Sequence, residues 1–447
     1  MRNTLIVLSC LAALMMIGCT GESSRPVATG DGPIRSINAI PTAPALLFLI
    51  EERSIGTVDY ARLSSQNSFD DLRYLFNFET TFPGDLMRTR IATTELKMER
   101  DVLYTLVASG ELEAPMITTW EKPLREWDGT ETVFEAQFGH TAESLGPIDV
   151  YFAAPGIAPA AGEEIDTLSF GEITQVGTYT SGEFVYTVTS AGNPGDILFT
   201  STTFSPAASG GFIISVFDGT ANDLGAYAFK VFTDDGLTSN LISNDIPSTV
   251  RFIHSNSTAG AADIYTDELL MDQILAGHAF RDATDDIDLA AGAYQFTYTT
   301  AGNPGAILDE ELVLIVGAAH SQMYLFGDDA APNISIRIPD RRSVETQVKL
   351  TFVHGAQNHP LVDFYLVEAG TDINDVVPTY VRIAPGQSPP TANLVAGDIE
   401  MYLTVSGEKT IIAGPEPVTV AYGDVYEYIS FDNVDPATAD LVSIPNP

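Results

Sequence analysis

Two short blocks of residues recur in the same order three times along the chain, and that repetition limits the fold more than any other feature. The first block runs Phe138-Gly139-His140 to Asp149-Val150-Tyr151, then Phe252-Ile253-His254 to Asp263-Ile264-Tyr265, then Phe352-Val353-His354 to Asp363-Phe364-Tyr365. In each copy His follows Phe by two residues, Asp follows His by nine and Tyr follows Asp by two. The second block lies downstream: SGEFVYTVTSAGNPG at 181–195, AGAYQFTYTTAGNPG at 291–305 and AGDIEMYLTVSGEKT at 396–410. Self-similarity with histidines 114 and 100 residues apart means tandem structural units. A fourth, eroded copy begins at Ile34-Arg35-Ser36-Ile37-Asn38, where Asn38 stands for the histidine and Leu47 for the aspartate.

Each unit reads as short strands. Val250–His254 and Ala262–Thr266 alternate, Tyr294–Thr300 is aromatic and threonine-rich, and Asn303-Pro304-Gly305 is a turn. Leu312–Val316 with Met323–Phe326 reads as a following hairpin, and Ile334–Ile338 as a closing strand. Phe69–Phe76 is the one short stretch with helical character. The expected fold is all-β: four tandem sandwich domains at 33–128, 129–247, 248–345 and 346–447, behind a signal segment, 1–19, and a tether, 20–32. The pattern V-R-F-I-H, A-D-I-Y, A-G-x-Y-x-F-x-Y-T resembles the bacterial DUF4397 domain, a family of unknown function found in secreted and surface proteins. That resemblance is strong over 250–340, good over 133–235 and 348–440 and weak over 33–125; it implies immunoglobulin-like sandwiches and no catalytic residues.

The amino terminus points to a membrane. Arg2 precedes an apolar core at residues 5–17, too short to span a bilayer and of the length of a cleaved signal. Met16-Ile17-Gly18-Cys19 resembles the lipobox of bacterial lipoproteins, so Cys19 is the expected lipidation site and the membrane the expected partner through that lipid. Thr20, in place of aspartate, implies by the same resemblance sorting to the outer membrane, on its periplasmic face or at the cell surface. The chain has two cysteines, and Cys10 leaves with the signal, so a disulfide, a thiolate metal site or a cysteine nucleophile within one mature chain is excluded.

A formal net charge of −39 makes nucleic acid a poor partner. The charge is uneven: residues 131–247 hold 15 acids and one base, Lys230. The acidic run Asp282-Ala283-Thr284-Asp285-Asp286-Ile287-Asp288 offers carboxylates for calcium but follows no EF-hand or nonapeptide pattern, and Asp-rich turns are ordinary loop chemistry.

The pairs His140 with Asp149, His254 with Asp263 and His354 with Asp363 are the most tempting constellation, since an imidazole oriented by a carboxylate is half of a hydrolytic triad. No serine or cysteine recurs with them and no G-x-S-x-G is present, so the expected role is a structural, cross-strand hydrogen bond. No cofactor is implied. Trp120 and Trp127 could stack on sugar rings or pack the junction of the first two units. The expected function is therefore non-enzymatic: a lipid-anchored envelope protein acting as spacer, adhesive or binding module for an unknown protein or glycan. The alternative is a carbohydrate-processing accessory or hydrolase whose site lies in one repeat.

Overall fold

The computed structural model describes residues 27–445 except positions 83, 86, 244, 316 and 329. The signal segment and Cys19 lie outside the described residues. Strands run over 31–123, 133–240, 248–337 and 348–444, forming eight sheets paired into four β-sandwiches. Among the described residues the sole helix is a 3-10 turn, Ile373–Asp375.

All four units are wired alike. Counting strands within each unit, the front sheet has the order 4-1-7-8 and the back sheet 3-2-5-6; the second unit adds a ninth strand, Thr238–Asn240, beside its eighth. This order refines the immunoglobulin-like expectation, because the seven-stranded immunoglobulin arrangement sets 1-2-5-4 against 3-6-7. The first strands (Asp31–Asn38, Val133–His140, Ser248–His254, Val348–His354) pair parallel with the seventh (Val102–Ser109, Gly211–Asp218, His320–Asp328, Val425–Asp432). Parallel neighbours cannot be joined by a tight turn; of the five strands between them, four lie in the back sheet and the fourth strand pairs with the first in the front sheet.

The first strand explains the repeat's apolar signature. Every residue of Ser248–His254 is buried. Val250 and Phe252 enter the core of the third unit, while Ile253 packs against Val353, Ile429 and Phe431 of the fourth. Cover on both faces also buries the polar positions of the strand, Arg251 and His254 among them. The first and second units meet through the same sheet: Ile37, Val107 and Trp120 pack on Ile213, Phe217 and Phe232. The units thus form two couples, one–two and three–four, joined front sheet to front sheet.

The couples also touch each other. The segment linking units three and four donates from Arg342 to the carbonyls of Pro41 (3.1 Å) and Ala43 (2.6 Å) in the first unit, and Asn222 of the second donates to Asp340 at 2.8 Å. The chain is a packed foursome, not an extended row.

Three local expectations are corrected. Asn303, Pro304 and Gly305 are not the turn, which lies at 301–302; they open the strand Asn303–Ile315. Residues 69–76 are not helical; they belong to strands Asn67–Asp70 and Arg73–Thr80, whose Phe76 and Phe78 are drawn into the first core. Leu312 and Met323 do not form a hairpin. Strand Asn303–Ile315 closes the back sheet, and His320–Asp328 crosses to the front sheet, parallel to the first strand.

Candidate functional site

The histidines and aspartates do not bond to one another. Each histidine ends a front-sheet strand in phase with the core, whereas each aspartate sits on the second strand, in the back sheet. The nine-residue spacing therefore spans the sandwich rather than two neighbouring strands. The imidazole Nε2 instead donates to a carbonyl in the following loop: Gly146 for His140 (3.0 Å), Gly260 for His254 (2.7 Å) and His359 for His354 (2.8 Å). Burial lowers the pKa of His140 and His254, and that of His354 to about 4, so the rings are neutral donors.

The aspartates tie the two repeated blocks together. Asp149, Asp263 and Asp363 accept from the amides of Gly192 (2.7 Å), Gly302 (2.8 Å) and Gly407 (2.8 Å), the glycines of the second block. Those glycines have φ of 73°, 71° and 80°, where a side chain would be strained. The other carboxylate oxygen reaches the third strand: it accepts from Thr167 Oγ1 in the second unit and from the amides of Gly277 and Arg382 in the third and fourth. Burial works against the Asp363 charge, but the amides of Gly407 and Arg382, the Ser406 hydroxyl and the Arg382 charge together outweigh it and hold that carboxyl below its ordinary value. A signal for this clamp lay in the sequence, in the joint recurrence of the two blocks.

Two of the four carboxylates of the acidic run 282–288 are committed internally. Asp286 faces Arg341 (2.9 Å), Arg251 (3.2 Å) and His320 (3.4 Å), and Asp282 accepts from the Ala279 amide. Among the described residues, no group of three or more His, Cys, Asp or Glu is placed to hold a metal ion.

The two tryptophans have different fates. Trp120 is 2% exposed, donates Nε1 to the Gly171 carbonyl at 3.0 Å, and lies so close to Gly139 that a Cβ there would come within 2.6 Å of the ring. It is the wedge of the first couple. Trp127, in the linker between units one and two, is half-buried, with the Arg125 guanidinium 4.3 Å from its ring centre. It borders a groove of about 750 Å³ lined with Phe204, Phe212, Val231, Asp235 and Asn240. Phe212 belongs to the core of the second unit, so the groove opens onto that core. Beneath it Lys122, 3% exposed, sits 3.3 Å from Glu135 and bonds to Asp234; Glu135 also faces Arg125 at 3.7 Å. The ninth strand, which among the described residues occurs in this unit alone, supplies one wall.

A second cleft, of about 430 Å³, lies where the first unit, the linker at 340–342 and the fourth unit meet. Most of its charges are paired: Arg342 with Asp59 (2.8 Å), Lys349 with Asp340 (2.6 Å) and Glu79 with Arg90 outside the cleft (3.0 Å), while Arg88 also lines it.

Residues 248–365, from the first strand of the third unit to the second strand of the fourth, match the family described as "Domain of unknown function (DUF4397)". The match is to this segment and not to the whole chain. Its His254, Asp263, Gly302 and His354 are the clamps just described. Among curated proteins, none matches the chain. Solved structures give faint likenesses. The Bacillus anthracis TIE protein is 10% identical, with 91% of this chain and 69% of that one covered and a TM-score of 0.16. The CBM26 module CBMbc of Eubacterium rectale Amy13K, solved with maltoheptaose, is 13% identical, with coverages of 46% and 98% and a TM-score of 0.17. The pilus adhesin SpaC of Lactobacillus rhamnosus GG is 10% identical, with coverages of 93% and 54% and a TM-score of 0.13. At such scores these likenesses carry no argument about function.

Proposed function

We propose that this is a non-catalytic binding protein of the cell envelope, tethered by lipid on Cys19, and that the groove beside Trp127 takes a neutral carbohydrate. The observation that carries the reading is the setting of Trp127: half-buried, braced on its ring by Arg125, and bordering a groove of about 750 Å³. An indole offers a flat apolar partner to the C–H face of a sugar. Carboxylate and amide groups at Asp235 and Asn240 are of the kind that fix hydroxyls, and pockets of this volume hold small ligands. Asp234 and Asp235 beside the groove, in a chain of net charge −39, favour a neutral ligand over an anionic one. The contacts between couples support a packed binding body over an extended spacer.

The chain has two tryptophans, and Trp120 is sealed in an interface, so an occupant of the groove reports through Trp127. Titrating neutral oligosaccharides while following tryptophan emission should give a saturable change, and Trp127→Ala should weaken calorimetric binding by more than about tenfold. Flat titrations across the panel, or a Trp127→Ala protein that binds as well as the unaltered chain, would rule the reading out.

A further inference from the structure

The sixth strand is an exposed edge of the back sheet in all four units, and an open edge invites another strand to pair with it. Three of the four are blunted. In the first unit, Thr89–Lys97 carries Arg90, Glu95 and Lys97. In the second, Ile197–Thr200 is only four residues long. In the fourth, Ile411–Val420 contains Pro415 and Pro417, which have no N–H to offer.

The third unit departs from this pattern at the end of its strand, beyond Asp309, Glu310 and Glu311. Asn303–Ile315 is 13 residues long, and its one proline, Pro304, lies at the start. Among the described residues it pairs only with Gly292–Thr300, on its inner side. Its last four residues, Leu312-Val313-Leu314-Ile315, bear no charge. Val313 and Ile315 enter the core, while Leu312 and Leu314 point the other way and are 69% and 71% exposed. Bare leucines beside a row of unpaired backbone groups are the makings of strand addition.

The residues just upstream say what kind of strand fits. Asp309 is taken up internally, accepting from the Ile334 amide at 2.7 Å. Glu310 and Glu311 are exposed and form no ion pair among the described residues. A second copy of a chain with net charge −39 would bring carboxylates to carboxylates. We propose that this edge, from Glu310 to Ile315, accepts an extended segment of a partner protein as a fifth strand of the back sheet. Its apolar residues would lie over Leu312 and Leu314, and its lysines or arginines against Glu310 and Glu311. The site is separate from the Trp127 groove, and either reading can fail alone.

The test uses the full chain and a labelled peptide of alternating lysine and valine, followed by fluorescence anisotropy and amide hydrogen exchange. The peptide should bind and slow exchange over residues 307–315. The variant Leu312→Asp/Leu314→Asp separates pairing from general attraction to an acidic surface. Added carboxylates strengthen mere attraction, whereas they should weaken strand addition by about tenfold or more. Both leucines are exposed, so the variant should keep its melting temperature. Binding that is unchanged or tighter in the variant, or protection elsewhere on the molecule, overturns the proposal. So does a dimer of the unaltered chain that sediments as a monomer once the two leucines are replaced, because the occupant is then a second copy.

Discussion

The couple formed by units one and two and the couple formed by units three and four are built on one plan with different fillings. In both, an arginine that immediately follows a core residue of the first strand, Ile34 or Val250, is buried and reaches into the next unit. Arg35 donates to the Thr233 carbonyl at 2.6 Å, and Arg251 donates to the Pro445 carbonyl. The even-numbered units have Gln137 and Thr351 at that position. At this position the odd unit of each couple reaches its partner through an arginine, so both couples are joined in the same sense. The fillings differ. The first interface is wedged by Trp120 against Gly139 and bordered by the Lys122 ion cluster. The second stacks Tyr324 on Phe326 at 5.1 Å and buries Glu427 between the Tyr324 hydroxyl (2.6 Å) and the Gln322 amide (2.6 Å). Histidine is also unequal: His140 stands alone in the first couple, and the other five lie in the second. Equal geometry with unequal chemistry means the couples should fail under different stresses.

The largest expected effect follows from the wedge. Trp120→Ala removes a ring that is 2% exposed, and large aromatic-to-alanine changes in packed sites cost about 3–5 kcal/mol. The loss should fall on the first couple. Hydrogen exchange should show units one and two opening at lower denaturant while the second couple keeps its protection. Equal loss of protection in both couples would show that the four units unfold as one body and that the division into couples has no energetic meaning.

Acid should do the reverse. Burial lowers the pKa of His254 and of His320, and takes His278 and His354 to about 4. Between those values and the ordinary imidazole value of 6.5, the unfolded chain binds protons that the folded chain does not. Stability is whole above the ordinary value, declines as pH falls, and levels off below the folded value. For His354 alone the decline amounts to about 3 kcal/mol over that window. Unfolding followed by exchange at about pH 7.5 and about pH 5 should show the second couple losing more than the first. A uniform loss would assign acid sensitivity to the carboxylates instead.

The contrast between couples also marks the limit of what the amino-acid order makes legible. The four units, their strands and the two repeated blocks follow from the recurrence of Phe, His, Asp and Gly at fixed spacing and from short strand-like runs bounded by turns. The wiring does not follow. His254 and Asp263 are close in sequence yet belong to opposite sheets, and spacing alone does not say when a chain crosses a sandwich. Leu312 and Met323 mislead for the same reason. In the Trp127 groove the ring itself is visible as a lone tryptophan in a polar linker. Phe204, Val231 and Asn240, by contrast, come together only through the extra strand of the second unit. The pairing of units is least visible, since Arg35 and Arg251 look like surface charges until the partner sheet covers them.

The smallest effect is the most discriminating, and the eroded first unit supplies its design. Asn38 occupies the place of the repeat histidine and does the same work with a shorter side chain. Its Nδ2 donates to the Pro44 carbonyl, six residues on, at 3.2 Å, and its Oδ1 accepts from the Ile40 amide, two residues on, at 3.1 Å. In the third unit His254 Nε2 donates to the Gly260 carbonyl, six residues on, and its Nδ1 accepts from the Asn256 amide, two residues on, at 3.3 Å. His254→Asn can keep both bonds and loses only ring packing, so its cost at neutral pH should be about 1 kcal/mol. His254→Ala keeps neither bond and should cost about 1–3 kcal/mol more. Asparagine does not titrate, so the His254→Asn deficit should shrink as pH falls through the imidazole window. Near about pH 5 the variant should match or exceed the unaltered chain in chemical denaturation. If His254→Asn is as damaging as His254→Ala at every pH, the two units do not share this clamp, and Asn38 is a substitute in position only.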